Sequence, residues 1–317
     1  MTIGRLVANR LLVGAFILFV VSLLVFGASL LLPGDAARAV LGRSASPDRL
    51  EVVRAQMHLD DPPLQRYLSW LEDLLTGDLG TSTVSQEPVL DLIIGRSGNS
   101  LLLMAIAALI ATPVSLLLGT WSALRRDKLA DHVTALTTLV LASLPEFVVG
   151  IALIYVFSTG LFNLFPAVVS TTEGVLAQPE VLVLPVATLV LAVSPYITRM
   201  MRATMLEVLD SDFVHQARLN GIPERSVLWR HSVPNAIGPV AQVVALQLAY
   251  LAGGIVLVEF LFGYPGIGAG IVAAVTARDI PTLQALVMLV AAFYVLVNLL
   301  ADVVGVLTNP RLRTAGS

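Results

Sequence analysis

The chain contains no cysteine and a single lysine, Lys128, among its 317 residues. Without cysteine there can be no disulfide framework and no metal or iron–sulfur site held by thiolates. The lone lysine stands in the sequence ALRRDKLAD, which excludes the G-x-x-x-x-G-K-S/T loop that cradles ATP phosphates. The four histidines lack the close spacing of metal ligands. We therefore expect neither a metal site nor an ATP site in this chain.

Charged residues are also scarce, at 13% of the chain, whereas 56% of the residues are hydrophobic and the mean hydropathy is +0.86. This composition lies far outside the usual range of soluble proteins. A transmembrane helix needs about 20 largely apolar residues to cross about 30 Å of hydrocarbon. We predict an all-α polytopic membrane protein with six transmembrane helices, over 11–32, 100–124, 133–162, 181–198, 237–258 and 283–307.

The first span carries no charged residue and no small-residue cleavage site. We interpret it as an uncleaved span rather than a signal peptide. Prolines inside the predicted spans predict kinks, which neighbouring helices can tolerate by satisfying the freed carbonyls. They include Pro113, Pro145, Pro185 and Pro195.

The positions of the basic residues set the orientation, because basic residues near span ends favour the cytoplasmic side. Placing residues 1–10 inside puts most basic residues in short cytoplasmic segments. Residues 308–317 and the segment 204–236 are then cytoplasmic as well, and 33–98 is extracytoplasmic. The basic residues placed inside are Arg5, Arg10, Arg125, Arg126, Lys128, Arg199, Arg202, Arg218, Arg225, Arg230, Arg311 and Arg313.

The extracytoplasmic region 33–98 has the pattern of a small helical subdomain. Asp48 is a suitable N-cap for a helix over 49–59, and the pair Pro62-Pro63 separates it from an amphipathic run over 64–75. Acidic residues outnumber arginines in this region. The acids form either a solvated face or a docking surface for a soluble partner.

The segment 204–236 is a polar run between two apolar spans. It predicts a helix over 206–219, a turn at Gly221 and Pro223, and a second short helix over 224–232. An ordinary cytoplasmic loop is one interpretation. The apolar residues Val227, Leu228 and Trp229 argue against it, because a simple connection has no reason to present them to water.

Acidic residues within spans are functional candidates by default. Glu146 follows Pro145 near the middle of the third span, where it either lines a pathway and favours a cationic group or serves a structural role. Asp302 lies four residues after Asn298 on one face of the sixth span, a spacing that favours packing between helices. Glu259 stands at the outer end of the fifth span, where we also expect a structural role.

Short motifs run along nearly the whole chain in a fixed order and spacing. They resemble those of the dipeptide/oligopeptide/nickel permease family, the inner-membrane permease subunits of ATP-binding-cassette (ABC) importers. The motifs are Pro33-Gly34-Asp35, Leu59-Asp60-Asp61-Pro62, Gly77-Asp78-Leu79-Gly80-Thr81-Ser82, Met205-Leu206-Glu207-Val208-Leu209, Ala217-Arg218 with Gly221, Pro265-Gly266-Ile267-Gly268, Arg278-Asp279-Ile280-Pro281 and Asn309-Pro310-Arg311.

The resemblance implies that 204–236 is a coupling loop that inserts into an ATPase subunit. Gly221 would permit its turn and Ala217 a close approach, while His215 and Gln216 stand where the family motif has Glu and Ala. The residues assigned to this role are His215, Gln216, Ala217, Arg218, Gly221, Ile222, Pro223, Arg225, Val227, Leu228, Trp229 and Pro234.

The resemblance also implies the type I ABC importer permease fold, with a permease core over 99–307, in the inner membrane. The chain would be a non-enzymatic subunit that forms half of a pathway for peptides or a related small solute. Its partners would be a second homologous permease, in this family usually a different chain, two ABC subunits that hold ATP and Mg, and an extracytoplasmic substrate-binding protein. No cofactor and no nucleic acid would bind this chain. Candidate pathway residues are Glu146, Phe147, Asn298 and Asp302, and candidate residues for binding-protein docking are Asp60, Asp61 and Asp78.

Two other classes of function are weaker. A self-contained proton-coupled transporter would use Glu146 and Asp302 as proton sites, but it predicts two repeat halves and leaves the segment 204–236 unexplained. An intramembrane enzyme would need a catalytic motif, and neither an H-E-x-x-H sequence nor a cysteine nucleophile is present.

Overall fold

The computed structural model describes residues 3–31, 46, 51, 54, 61–169, 175 and 177–308. The described residues form helices joined by short connections, with one isolated β-bridge between Thr81 and Pro88. The helices are α1 (Ile3–Leu31), α2 (Pro63–Thr76), α3 (Val89–Leu124), α4 (Leu129–Ser143), α5 (Glu146–Ile154), α6 (Val183–Leu209), α7 (Asp212–Leu219), α8 (Glu224–Ser226), α9 (Val233–Leu261), α10 (Ile267–Ala277) and α11 (Ile280–Thr308).

Five of these helical segments are long and apolar enough to cross a membrane, and α4 with α5 makes a sixth if the bent pair counts as one span. The predicted all-α membrane fold is confirmed. The helices extend beyond several predicted spans. For example, α1 begins at Ile3 rather than at residue 11, and α6 continues to Leu209 rather than ending at 198.

Helix α6 is the centre of the packing and is the most buried of the long helices. It lies against α3, α9, α4 and α5. Gly119 of α3 permits a close approach, because a Cβ atom there would lie 2.6 Å from the carbonyl oxygen of Thr198 in α6. Buried side chains including Leu189, Val193 and Ile197 continue the core along α6.

The third predicted span, 133–162, is divided in the structure. Helices α4 and α5 meet at an angle of 105°, and α5 continues as a π-helix over Tyr155–Thr159. Pro145 causes the break, because its ring disfavours helical backbone at the preceding residue. Leu144 accordingly is extended, with φ −96° and ψ 133°. The break places Glu146 at the first residue of α5.

The helix predicted over 224–232 is not a separate element. Helix α8 passes into a π-helix over Val227–Ser232, which continues without interruption into α9. Pro234, near the start of α9, has no N–H to donate, and the wider turn of a π-helix accommodates such a defect without ending the helix. Residues 224–236 are therefore joined to the fifth span as one continuous helical rod, whereas the turn at Gly221 separates them from α7.

On the extracytoplasmic side, α2 covers the run predicted over 64–75 and ends at Gly77, which has φ +86°. The predicted helix over 49–59 lies outside the described residues, apart from positions 51 and 54. Helix α10, between the fifth and sixth spans, was not predicted. Its eleven residues are too few to cross a membrane, and its small residues carry no strong period.

Candidate functional site

Helix α7 and the turn after it form a compact unit with its own small core. Val214, Ala217 and Val227 are buried against one another, and Ile222 packs beside them. The close packing that the small side chain of Ala217 permits is therefore against residues of this chain, Val214 and Val227. Val227 likewise packs inside the unit, on the inner side of α7.

The turn after α7 depends on Gly221. Its φ is +73°, and no atom lies within 4 Å of the position where a Cβ would stand. Its N–H donates to the carbonyl of Arg218 at 3.0 Å, and the N–H of Ile222 donates to that of Ala217 at 3.2 Å. Glycine is therefore favoured for its backbone conformation and not for lack of space.

A bidentate ion pair closes the same turn. The guanidinium of Arg218 donates to the two carboxylate oxygens of Glu224 at 2.7 and 3.2 Å. The Glu224 carboxylate raises the pKa of Arg218 above its ordinary value by hydrogen bonding. Both side chains are exposed to solvent, so the pair orients α7 relative to α8 more than it stabilises the fold.

Helix α7 also carries two exposed apolar side chains that the sequence analysis did not single out. Leu219 is 81% exposed and Phe213 is 46% exposed. At about 3.6 residues per turn, Leu219 lies opposite the buried Val214 and Ala217, whereas Phe213 borders them, about 120° from Leu219 around the helix. The helical period could have found Leu219, because it separates that residue from the buried side of α7.

The other residues predicted for coupling are divided between the surface and the interior. His215, Gln216, Pro223, Arg225 and Pro234 are exposed. Leu228 packs against the core between α3, α6 and α9. Trp229 is half exposed beside Trp121 of α3, where the guanidinium of Arg125 lies 4.6 Å from the centre of the Trp121 ring.

An ion pair with a buried carboxylate joins three helices. Asp131, at the start of α4, accepts hydrogen bonds from Arg202 of α6 and from the Ser122 hydroxyl of α3. The Asp131 side chain is 4% exposed. Helices α3, α4 and α6 are thereby held together.

A polar cavity of about 470 Å³ opens on another face of the bundle, within the spans. It is lined by the polar side chains of Glu146 from α5, Gln247 and Tyr250 from α9, and Tyr294 and Asn298 from α11. The Tyr250 hydroxyl donates to the Glu146 carboxylate at 3.1 Å. The structure thus brings together two of the predicted pathway residues, Glu146 and Asn298, and adds three that the sequence analysis missed.

The remaining two predicted pathway residues do not line this cavity. Phe147, the residue after Glu146, is 41% exposed. Asp302 forms an ion pair with Arg10, with 2.8 Å between Nε and Oδ2, and so connects α11 to α1. This contact matches the interhelical role that the spacing of Asp302 favoured.

The candidate docking residues lie apart from these surfaces, on the extracytoplasmic side. Asp78 is exposed and accepts a hydrogen bond from the Gly80 N–H at 2.9 Å. Asp61 lines an open cavity between α1, α2 and α11. Asp60 lies outside the described residues.

Glu259 has a structural environment at the outer end of α9. Its buried carboxylate accepts hydrogen bonds of 2.6 Å from the Ser100 hydroxyl and from the N–H of Gly268, in the first turn of α10. Nearby, burial raises the pKa of Tyr264 above its ordinary value, and its hydroxyl donates to the carbonyl of Asn99 at 2.8 Å. These bonds fix the connection between α9 and α10 against α3.

Comparison with known proteins identifies the family. The model of the binding-protein-dependent transport system inner membrane component matches residues 115–314. The model of the N-terminal region of such components matches residues 3–104. The chain belongs to this family of permeases.

Relatives that match along nearly the whole chain support the same family. A probable peptide ABC transporter permease of Sinorhizobium fredii is 32% identical over 98% of this chain and 99% of its own length. A putative peptide transport system permease of Brucella abortus is 33% identical over 97% of this chain and 98% of its own length. A glutathione transport system permease of Escherichia coli is 34% identical over 93% of this chain and 94% of its own length.

The expected class of function is confirmed. The chain is a multi-pass permease of the inner membrane, a component of a binding-protein-dependent ABC transporter, and this subunit is not an enzyme. Membership of the family implies an ATPase and a binding protein as partners.

Proposed function

We propose that this permease forms half of a translocation pathway for small peptides, and that α7 couples the pathway to an ATPase subunit. The relatives named above are permeases of peptide or glutathione transport systems, which supports peptides as the solute. The polar cavity between α5, α9 and α11 is the candidate pathway surface. It offers hydrogen-bonding groups within spans that are otherwise strongly apolar.

The observation that carries the coupling proposal is the exposed apolar surface of α7. Leu219 and Phe213 are both exposed on a helix that is braced internally by Val214 and Ala217. Exposed apolar groups on a rigid element mark a surface for a protein partner. Because the segment after α7 continues into α9, movement of the ATPase would be passed directly to a helix that lines the cavity.

The assembly we propose has four further subunits. A second homologous permease supplies the other half of the pathway, and two ATPase subunits, which hold ATP and Mg, sit on the cytoplasmic side with both termini of this chain. The binding protein docks outside, where Asp61 and Asp78 lie. In this assembly the chain itself binds no cofactor, because the nucleotide sites belong to its partners.

Affinity purification of the tagged permease from its native membrane tests the coupling surface. ATP hydrolysis in the eluate is expected with the wild type and is expected to fall at least tenfold for a Phe213→Ser, Leu219→Ser variant, since losing an apolar anchor costs about 1–2 kcal/mol per site. Leu75→Ser is a matched control, because Leu75 is 79% exposed at the end of α2, on the opposite side.

Retention of full ATPase activity by the double α7 variant would contradict the coupling proposal. Equal loss in the Leu75 variant would show that any exposed leucine affects assembly. ATP-dependent uptake of a labelled tripeptide by proteoliposomes holding the purified complex and its binding protein tests the solute class separately. Absence of uptake by the wild-type complex would overturn the assignment of peptides.

A further inference from the structure

The polar cavity between α5, α9 and α11 contains hydrogen-bond acceptors and no cation. Among the residues that the structure describes, no lysine, arginine or histidine forms an ion pair with Glu146, whose polar contact is the Tyr250 hydroxyl. The side-chain oxygen of Gln247, in the wall of the same cavity, is buried and accepts no hydrogen bond from any described residue.

These acceptors lie deep within the spans. Tyr250 is eleven residues from the nearer end of α9, Leu261, which is about 16 Å of helix at 1.5 Å per residue. A carboxylate at such a depth is energetically costly unless it faces water or a positive group. A donor-rich cation in the cavity would satisfy the Glu146 carboxylate, whereas the side-chain oxygen of Gln247 is buried too deeply to reach it.

The aromatic residues that line the cavity indicate which kind of cation would bind there. Tyr250 and Tyr294 are about half exposed, at 48% and 47%, and both line the cavity. Tyrosine faces attract organic cations. A divalent metal would require several more oxygen ligands than one carboxylate supplies. A protonated primary amine, with three N–H donors, suits one carboxylate beside two aromatic rings.

We propose that this cavity binds the protonated amino group of the solute as it crosses the membrane, with the Glu146 carboxylate accepting its hydrogen bonds. The proposal rests on the proposed function, since it takes the cavity as part of the pathway. Tyr250 positions the carboxylate by donating to it at 3.1 Å. The site would favour peptides with a free amino terminus over those in which this group is blocked.

Uptake by the complete complex in proteoliposomes, with its binding protein and ATP, gives the first test. The probes are trialanine and N-acetyl-trialanine, which differ in the charged amine. Glu146→Gln keeps the size of the side chain and removes its charge. We expect a fall of about tenfold in the maximal rate for trialanine, as for the loss of one charged hydrogen bond. Glu146→Asp should restore most of the rate, and the rate for N-acetyl-trialanine should not change.

Gly254 of α9 supplies a test that leaves the carboxylate in place. A Cβ atom there would lie 3.2 Å from Oε1 of Glu146. Gly254→Ala should therefore displace the Glu146 carboxylate and slow trialanine uptake several-fold. Gly27→Ala, in α1 and outside the cavity lining, adds the same methyl group where nothing lies within 4 Å and should leave uptake within about twofold of the wild type.

Carbodiimide coupling tests contact directly, because it joins a carboxylate to a primary amine that touches it. With trialanine, binding protein and ATP, mass spectrometry should find an adduct on Glu146. The adduct should be absent with N-acetyl-trialanine and strongly reduced without binding protein. This measurement decides the proposal even if N-acetyl-trialanine is not carried by the wild type.

Three results would overturn the site: unchanged trialanine uptake in Glu146→Gln, an equal fall for both probes, or no trialanine adduct on Glu146 during transport. Each of these presumes uptake by the wild-type complex. Failure of the wild type to carry any peptide would instead contradict the proposed function, so the two failures are distinguishable.

Discussion

The carboxylate of Asp131 accepts two hydrogen bonds of 2.6 Å from the guanidinium of Arg202 and thereby joins α4 to α6. Asp131 also accepts from the Ser122 hydroxyl at 2.5 Å and from the backbone N–H of Asp127 at 3.2 Å. These bonds join the end of α3 and the start of α4 to α6, the helix that precedes α7. The pair therefore holds together helices that lead to α7, the proposed coupling helix.

Asp131→Asn should destabilise the permease by about 3 kcal/mol, because it leaves Arg202 partly buried without its counter-charge. Unfolding of the purified protein in detergent measures this loss. Asp210→Asn is the control, since Asp210 forms an exposed ion pair with Arg126 and should contribute less than about 1 kcal/mol. Adding Arg202→Met to Asp131→Asn should recover part of the stability, and equal losses in the two single Asp variants would contradict this account.

Substitution of Gly221 should impair coupling in the order Val, Ala, Asn, with Val the most harmful. Its φ of +73° is unfavourable by about 1–2 kcal/mol for most residues, and asparagine tolerates it best. ATP-driven uptake by the reconstituted complex measures the effect. Gly27→Ala, in α1, also adds a methyl group where nothing lies within 4 Å, and it should be silent. Equal uptake in all Gly221 variants would show that the turn conformation does not matter.

We expect Asp279 to hold the segment that joins α2 to α3 in a fixed conformation. This buried carboxylate accepts from the Ser82 hydroxyl, the Thr83 N–H and the Thr282 hydroxyl, at 2.5, 3.0 and 2.7 Å. Asp279→Ala should speed hydrogen exchange of the amides over 81–85 by at least tenfold, because the variant lacks several hydrogen bonds that oppose local opening of this segment. Asp78→Ala removes one exposed acceptor and should change only the Gly80 amide. Unchanged protection in Asp279→Ala would refute the role.

Much of the fold could be read from composition and pattern. Long apolar segments predicted the spans, because crossing a bilayer demands them. The effect of proline was less predictable. Pro113 and Pro195 lie inside uninterrupted helices, whereas Pro145 separates two helices at 105°. Local sequence does not distinguish these cases, since neighbouring helices decide whether a freed carbonyl finds another partner.

The site was only partly predictable for a similar reason. Glu146 and Asn298 stood out as polar residues in apolar spans, and the structure brings both to one cavity. Gln247 was not singled out, because one amide in a long helix has no distinctive spacing. The partner of Asp302, Arg10, lies 292 positions away in sequence. Such pairings come from the packing of distant helices, which a single sequence does not specify.

The unbroken passage from the π-helix into α9 has a geometric consequence. The 29 residues of α9 form a rod roughly 43 Å long. A rigid-body tilt of about 10° imposed at the end that adjoins the π-helix would displace the far end by about 7 Å. Tyr250 and Gln247 are residues of α9 and would move with it. A small rotation outside the membrane would thus change the width of the cavity within it.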